Sequence, residues 1–257
     1  IVKYNSSGVA QWAKTVTAGN DHSYFLGVSV DTSGNIFAVG AIYGTGNFNF
    51  GSGIVAGTNS STNVVIVKYN SSGVAQWAKT VVTGSGNSTY FGVAADTSGN
   101  VYAAGSMSGT GNFDFGSGSI SGQGGVVIVK YNSSGTAQWA RTATATGGGW
   151  GNLRRVSIDA SGNIYAAGQI GSGTLDFGTG PIIGSSSGFG SVAIVKYNSS
   201  GIAQWAKTVT EDGGGSFFNG VSIDTSGNLY AVGYLYGTEN YDFGSGPVAG
   251  QGGSAGG

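Results

Sequence analysis

Six charged side chains in this 257-residue chain have types and positions that could do chemistry: Asp21, Arg154, Arg155, Glu211, Asp212 and Glu239. Two carboxylates drawn from Asp21, Glu211, Asp212 and Glu239 would suit glycoside cleavage, one giving a proton and the other acting as base or nucleophile. Nothing in the sequence marks any of them as an acid of raised pKa, so no catalytic residue is assigned. His22, Tyr24, Trp150 and the pair Phe217-Phe218 accompany these charges in the segments of most varied sequence. Varied segments on a rigid scaffold are where binding usually sits. The candidate ligand-binding set is therefore Asp21, His22, Tyr24, Trp150, Arg154, Arg155, Glu211, Asp212, Phe217 and Glu239, and ordinary loop drift is the competing account.

Sharper motifs carry less. Gly184-Ser185-Ser186-Ser187-Gly188 fits the G-x-S-x-G pattern of hydrolases, but it lies in a Ser/Gly-rich stretch without the strand–turn–helix setting that the nucleophile needs. The recurring Asp-x-Ser-Gly-Asn lacks the second acidic ligand and distal Glu of a calcium loop, and a β-turn explains it. With no Cys and one His, thiol catalysis, disulfides and multi-His metal sites are excluded, and no metal or cofactor is assigned. Ten Lys+Arg against eleven Asp+Glu leave no basic surplus for nucleic acid. No apolar run approaches the ~20 residues of a membrane helix, so no membrane insertion is expected. No signal peptide is visible, but the chain begins at Ile1 without Met, which leaves room for an upstream segment.

The elements that must position these residues come from a repeat. Ile-Val-Lys-Tyr-Asn-Ser-Ser-Gly starts at Ile1, Ile66, Ile128 and Ile194, so the expected domain is one unit, 1–257, of four copies: 1–65, 66–127, 128–193 and 194–257. Fifteen of the 21 charges recur at fixed repeat positions. They are Lys3, Lys68, Lys130 and Lys196; Lys14, Lys79, Arg141 and Lys207; Asp31, Asp96, Asp159 and Asp224; and Asp114, Asp176 and Asp242. A charge repeated in every copy is most simply structural: an Asp accepting turn N–H groups, or a Lys/Asp pair between copies.

Each copy predicts four strands. An apolar run ends in Lys-Tyr, Asn-Ser-Ser-Gly makes a tight turn, and Ala-Gln-Trp-Ala-Lys-Thr alternates apolar with polar. After a Gly-rich connection come a short strand such as Val28–Asp31, a Thr-Ser-Gly-Asn turn and the doubly apolar Ile36–Gly40. No segment has a helical period, and 52 glycines argue against helix throughout. The reading is an all-β propeller of four-stranded antiparallel blades. The Val28 strand is innermost, followed by the Ile36 strand, the Lys-Tyr strand and, outermost, the Trp strand. Trp12, Trp77, Trp139 and Trp205 could line sugar sites, although covering the blade core is the simpler role. The Asn-Ser-Ser turns at Asn5, Asn70, Asn132 and Asn198 are also glycosylation sequons, for which the hairpin is sufficient cause.

Three segments, K-Y-N-S-S-G-x-A-Q-W-A-K, D-x-S-G-N-x-Y-A-x-G and G-T-x-x-x-D-F-G-x-G, recur through essentially the whole chain, with Asn47-Phe48-Asn49-Phe50 as a variant of the third. In these the chain resembles the bacterial seven-bladed β-propeller (SBBP) repeat family. The resemblance implies a propeller on a secreted or cell-surface bacterial protein and carries no catalytic signature.

The phase of the repeat adds an expectation of its own. The chain opens on the two outer strands of a blade and closes on the two inner ones. Unpaired edges are pairing templates, so these half-blades should combine within a chain or between chains, as a closed ring, an eight-bladed dimer or a filament. The expected function is non-enzymatic: an extracellular structural or adhesion propeller serving as assembly block or interaction platform, with itself as partner. The alternatives are a carbohydrate-binding, lectin-like module with one weak site per blade, where glycans or a surface protein are the partners, and a hydrolase on the long-loop face.

Overall fold

A computed structural model describes residues 1–185, 188–211 and 214–251. Seven strands recur in every copy, and among the described residues there is no helix. The first copy contains β1 (Val2–Tyr4), β2 (Ala10–Ala13), β3 (Ala18–Gly19), β4 (Ser23–Val30), β5 (Ile36–Tyr43), β6 (Asn47–Asn49) and β7 (Ile54–Ala56). The second contains β8 (Thr62–Tyr69), β9 (Ala75–Thr80), β10 (Thr83–Gly84), β11 (Ser88–Ala95), β12 (Val101–Met107), β13 (Asn112–Asp114) and β14 (Ser119–Ser121). The third contains β15 (Val126–Tyr131), β16 (Ala137–Arg141), β17 (Thr144–Thr146), β18 (Gly151–Ile158), β19 (Ile164–Ile170), β20 (Gly173–Asp176) and β21 (Pro181–Gly184). The fourth contains β22 (Ser191–Tyr197), β23 (Ala203–Thr208), β24 (Thr210–Glu211), β25 (Gly215–Ile223), β26 (Leu229–Tyr236), β27 (Asn240–Asp242) and β28 (Pro247–Ala249).

The strands assemble into antiparallel sheets of two to four strands, in the order expected from the sequence: β4-β5-β8-β9, β11-β12-β15-β16 and β18-β19-β22-β23. Each sheet borrows its outer pair from the following copy. The ends of the chain supply only half of such a sheet, β1-β2 and β25-β26. Four further three-stranded sheets, β3-β6-β7, β10-β13-β14, β17-β20-β21 and β24-β27-β28, order the connections that the sequence presents as Gly-rich loops. Their inward residues Phe48, Phe113, Leu175 and Tyr241 are fully buried.

By their internal contacts the residues form two compact units. One comprises Ile1–Ala103, Ser108–Ser121 and Val129–Ala140; the other comprises Ala104–Met107, Gly122–Ile128 and Arg141–Gly257. In the first unit β5 is buried on both faces. Ile36, Ala38 and Ile42 join Val65, Val67 and Tyr69 in a cluster against which Ile1, Trp12 and Phe25 pack. Phe37, Val39 and Ala41 lie on the opposite face, the one that β11 packs against. The second unit repeats the plan with β18-β19-β22-β23 stacked on β25.

Each repeated motif has a local cause. In the Asn-Ser-Ser-Gly hairpin, the Asn5 side-chain oxygen accepts from the N–H groups of Ser7 (3.0 Å) and Val9 (2.8 Å), and Gly8 takes the left-handed conformation (φ 77°). Asn70, Asn132 and Asn198 do the same. In Asp-x-Ser-Gly-Asn-x-Tyr, one oxygen of Asp159 accepts from the Ser161 and Asn163 N–H groups. The other accepts from the Asn163 amide (2.7 Å) and the Tyr165 hydroxyl (3.1 Å). In Asp-Phe-Gly-x-Gly, Asp114 accepts from the Gly116 and Gly118 N–H groups, and Asn49 in its place keeps the first of these bonds, accepting from the Gly51 N–H.

Candidate functional site

Most of the repeated polar groups are thus consumed by turns. Burial pushes the Asp159 carboxyl up, but the Asn163, Tyr165 and Ser161 donors outweigh it and hold the acid below its ordinary value. Asp224 is lowered chiefly by the Asn228 side chain and N–H. Such acids stay ionised at neutral pH and are poor proton donors. The expected Lys/Asp pair between copies does not occur where Lys3 and Lys68 are concerned. Lys3 Nζ donates to the Ser71 carbonyl (2.9 Å) and Lys68 Nζ to that of Ser133 (3.1 Å). Trp12 Nε1 and Trp77 Nε1 donate to the same two carbonyls. The rings of Trp12 and Trp77 lie over Gly73 and Gly135 of the next copy's hairpin. These tryptophans therefore latch consecutive copies together. Arg141 does likewise in the second unit, donating to the carbonyls of Gly201 and Ser200.

Five of the ten candidate residues lie in strands rather than in loops. Tyr24 is in β4, Arg154 and Arg155 are in β18, and Phe217 is in β25. The inner strand runs further than its apolar tail suggests because a bulge interrupts its register. The bulge leaves Leu26, Arg154 and Asn219 out of the pairing in their respective strands. It also brings backbone so close that a Cβ at Gly40, Gly168 or Gly233 would collide with the carbonyl of Tyr24, Asn152 or Phe217.

Two clusters result. In the first unit, His22 and Tyr24 both contact Tyr43, at ring separations of 6.1 Å. Asp21 accepts from the His22 N–H (2.7 Å). In the second unit, the Arg154 guanidinium lies 4.7 Å from the Phe217 ring centre and donates to the side-chain oxygens of Asn152 (3.1 Å) and Asn219 (3.4 Å). Phe217 stacks on Tyr234 (5.0 Å), and Tyr236 stacks on Phe189 (5.6 Å). Arg155 Nη1 donates to the Arg154 carbonyl. Trp150 is exposed and rests on Gly171, while Glu239 folds against Gly237. Glu211 is in β24, and Asp212 lies outside the described residues. Sequence reasoning missed Tyr43, Asn152, Phe189, Asn219, Tyr234 and Tyr236. The glycine recurring opposite the bulge was the one signal that could have located Asn219. Among the described residues, no three His, Cys, Asp or Glu side chains come together to hold a metal ion.

The largest departure from the internal symmetry lies at the half-sheets. Val39 of β5 has no exposed surface, whereas its counterpart Val232 of β26 is 67% exposed. Tyr230 and Tyr234, at the positions of buried Phe37 and Ala41, are exposed too. Val28 of β4 is 60% exposed where its counterpart Val93 of β11 is 8%. Beside Val28 runs a groove of about 350 Å³ lined by Ile1, Val2, Phe25, Leu26, Val28 and Ala38. Val2 and Tyr4 of β1 are exposed where Val67 and Tyr69 of β8 are buried.

No family model matches the chain, and no curated protein matches it.

Proposed function

We propose that the chain is a non-enzymatic structural or adhesion β-propeller of SBBP type, secreted or displayed on a bacterial cell surface, that serves as an assembly block and interaction platform. The observation that carries this reading is the pair of half-sheets. Each exposes apolar residues whose counterparts elsewhere in the chain are buried. Contiguous apolar surface of this kind marks an association site. The repeated polar residues are committed to turns and latches, which suits a scaffold. Electron-microscopic class averages test the architecture. Blades radiating around a central channel are expected, and a linear stack of sheets would overturn the propeller.

A carbohydrate-binding role is the second reading. It is favoured by the exposed rings of Phe189 and Tyr234 in the stack that Arg154 and Asn219 flank, since aromatic faces with adjacent polar groups suit sugars. It would be a single site rather than one per blade, because Trp12 and Trp77 are engaged in latches. A glycan array decides it: ligands lost on Tyr234→Ala would establish the site, and an empty array would remove it.

A further inference from the structure

We infer that the cluster around Arg154 takes a saccharide that carries a carboxylate, a uronic or sialic acid residue, with the guanidinium as the partner of the anion. The inference rests on the carbohydrate reading and goes beyond it by naming the charge of the ligand and the residue that reads it.

The fold does not require an arginine at this place. Arg154 is the residue that the bulge of β18 leaves out of the pairing, and Leu26, Phe91 and Asn219 hold the same place in β4, β11 and β25. It is one of the six charges that do not recur through the copies, unlike the acids and lysines consumed by turns and latches. Its surroundings depart from the repeat together with it. Asn152 stands where the first two copies have Tyr24 and Thr89. Its partner across the sheet, Gln169, stands where they have Ala41 and Ser106.

A guanidinium has five N–H donors in a planar fork. Nε of Arg154 donates to Asn152 Oδ1 (3.1 Å) and Nη1 donates to Asn219 Oδ1 (3.4 Å). Both acceptors are neutral, and the nearby Phe217 ring carries no charge either. Among the described residues no carboxylate pairs with Arg154, and one proton on Nη1 and both on Nη2 have no acceptor. A half-buried cation gains from an anionic partner, and this fork matches a carboxylate through two parallel hydrogen bonds. The two asparagines and the Phe217 ring hold the side chain in place beforehand, so little of its freedom remains to be lost on binding.

The remaining groups suit a sugar ring. Phe189 is 59% exposed, and its segment is fixed on three sides. The buried Gln169 amide donates to the Phe189 carbonyl (2.8 Å), the Ser216 N–H donates to the Gly190 carbonyl (2.8 Å), and Phe189 occupies the space that a side chain at Gly215 would need. Phe189 stacks on Tyr236, which lies 5.9 Å from Phe217. All of these residues belong to the second unit. Aromatic faces receive the apolar side of a pyranose, the amides its hydroxyls, and the fork its carboxylate. The chain's net charge of −1 gives no general attraction for anions, so a preference for acidic sugars has to come from a local group.

The test is a glycan array that carries uronate and sialate oligosaccharides beside their methyl esters, which keep the ring and lose the charge. The intact chain is expected to retain the acids over the esters, with a preference that shrinks at high salt. Arg154→Leu, which puts the first copy's residue at this place, is expected to lose roughly ten- to a hundredfold in affinity for the acids, as a lost charge-assisted hydrogen bond would. Should that variant not fold, Arg154→Lys, which keeps the charge without the fork, is expected to show only part of the preference. Phe189→Ala is expected to weaken acids and esters alike. Esters retained as well as acids overturn the inference and leave the carbohydrate reading intact. Acids retained equally by the folded Arg154→Leu variant overturn the assignment to Arg154. An empty array overturns both readings, and the acid retained identifies the source of the carboxylate.

Discussion

Truncating the same residue type at two symmetry-related positions separates the energetics of the fold from those of assembly. Val39 and Val232 occupy the same place in their strands, but the first is fully covered and the second is two-thirds exposed. Removing two methyl groups from a covered valine forfeits about 1.6 kcal/mol at ~0.8 kcal/mol per methylene, and the cavity adds to that. Val39→Ala is therefore expected to cost about 2 kcal/mol. Val232→Ala gives up only the covered third of that transfer energy, about 0.5 kcal/mol, within one chain. In an assembly that covers Val232, the remaining ~1 kcal/mol appears on association and its loss raises the dissociation constant about fivefold. Urea unfolding at concentrations below assembly measures the first pair of numbers, and analytical ultracentrifugation measures the last. Equal destabilisation by the two substitutions in the isolated chain would refute the reasoning, as would a dissociation constant indifferent to Val232.

Three further outcomes follow from particular contacts. The buried hydroxyls of Tyr90 and Tyr131 hydrogen-bond at 2.9 Å, whereas buried Tyr69, the counterpart of Tyr131, has no hydroxyl partner among the described residues and Phe25 stands at the position of Tyr90. Phe25→Tyr should stabilise the chain by about 1 kcal/mol and Tyr90→Phe should cost about 1–3 kcal/mol in thermal unfolding; the opposite signs would contradict this pairing. Folded Asp159 and Asp224 ionise below their ordinary range, so the stability they contribute is whole above pH ~4 and lost as pH falls through their folded values. Melting temperature should be flat from neutrality down to about pH 5 and then fall, less steeply in Asp159→Asn. Burial pushes the Tyr69 hydroxyl up to about 12, so its contribution is complete below pH ~10 and declines from there towards 12. Absorbance titration of the phenolates, compared with Tyr69→Phe, reads this directly.

The repeat, the strand order and the turn chemistry were legible because each rests on short-range rules. Asn5 and Asp159 need only their own next four residues to form their turns, and alternating Gln76, Trp77, Ala78 and Lys79 declare a half-exposed strand. The small sheets were not legible. Triplets such as Asn112-Phe113-Asp114 are too short to show a period, and on one side they pair with residues some thirty positions away. The bulges at Leu26, Arg154 and Asn219 were hidden for the same reason, and with them the fact that Arg154 and Phe217 belong to strands. The roles of Trp12 and Trp77 depend on where Nε1 finds an acceptor, about sixty residues ahead, which no pattern within a strand reveals. Of the candidate site, the sequence identified Arg154 and Phe217 but not the rings and amides around them.

The most direct test of the account is the mass of the intact chain by native mass spectrometry across a wide dilution series. The proposed role as an assembly block predicts species of two or more copies that dissociate on dilution towards the 25.5 kDa single chain. A mass of 25.5 kDa at every concentration would contradict association between copies.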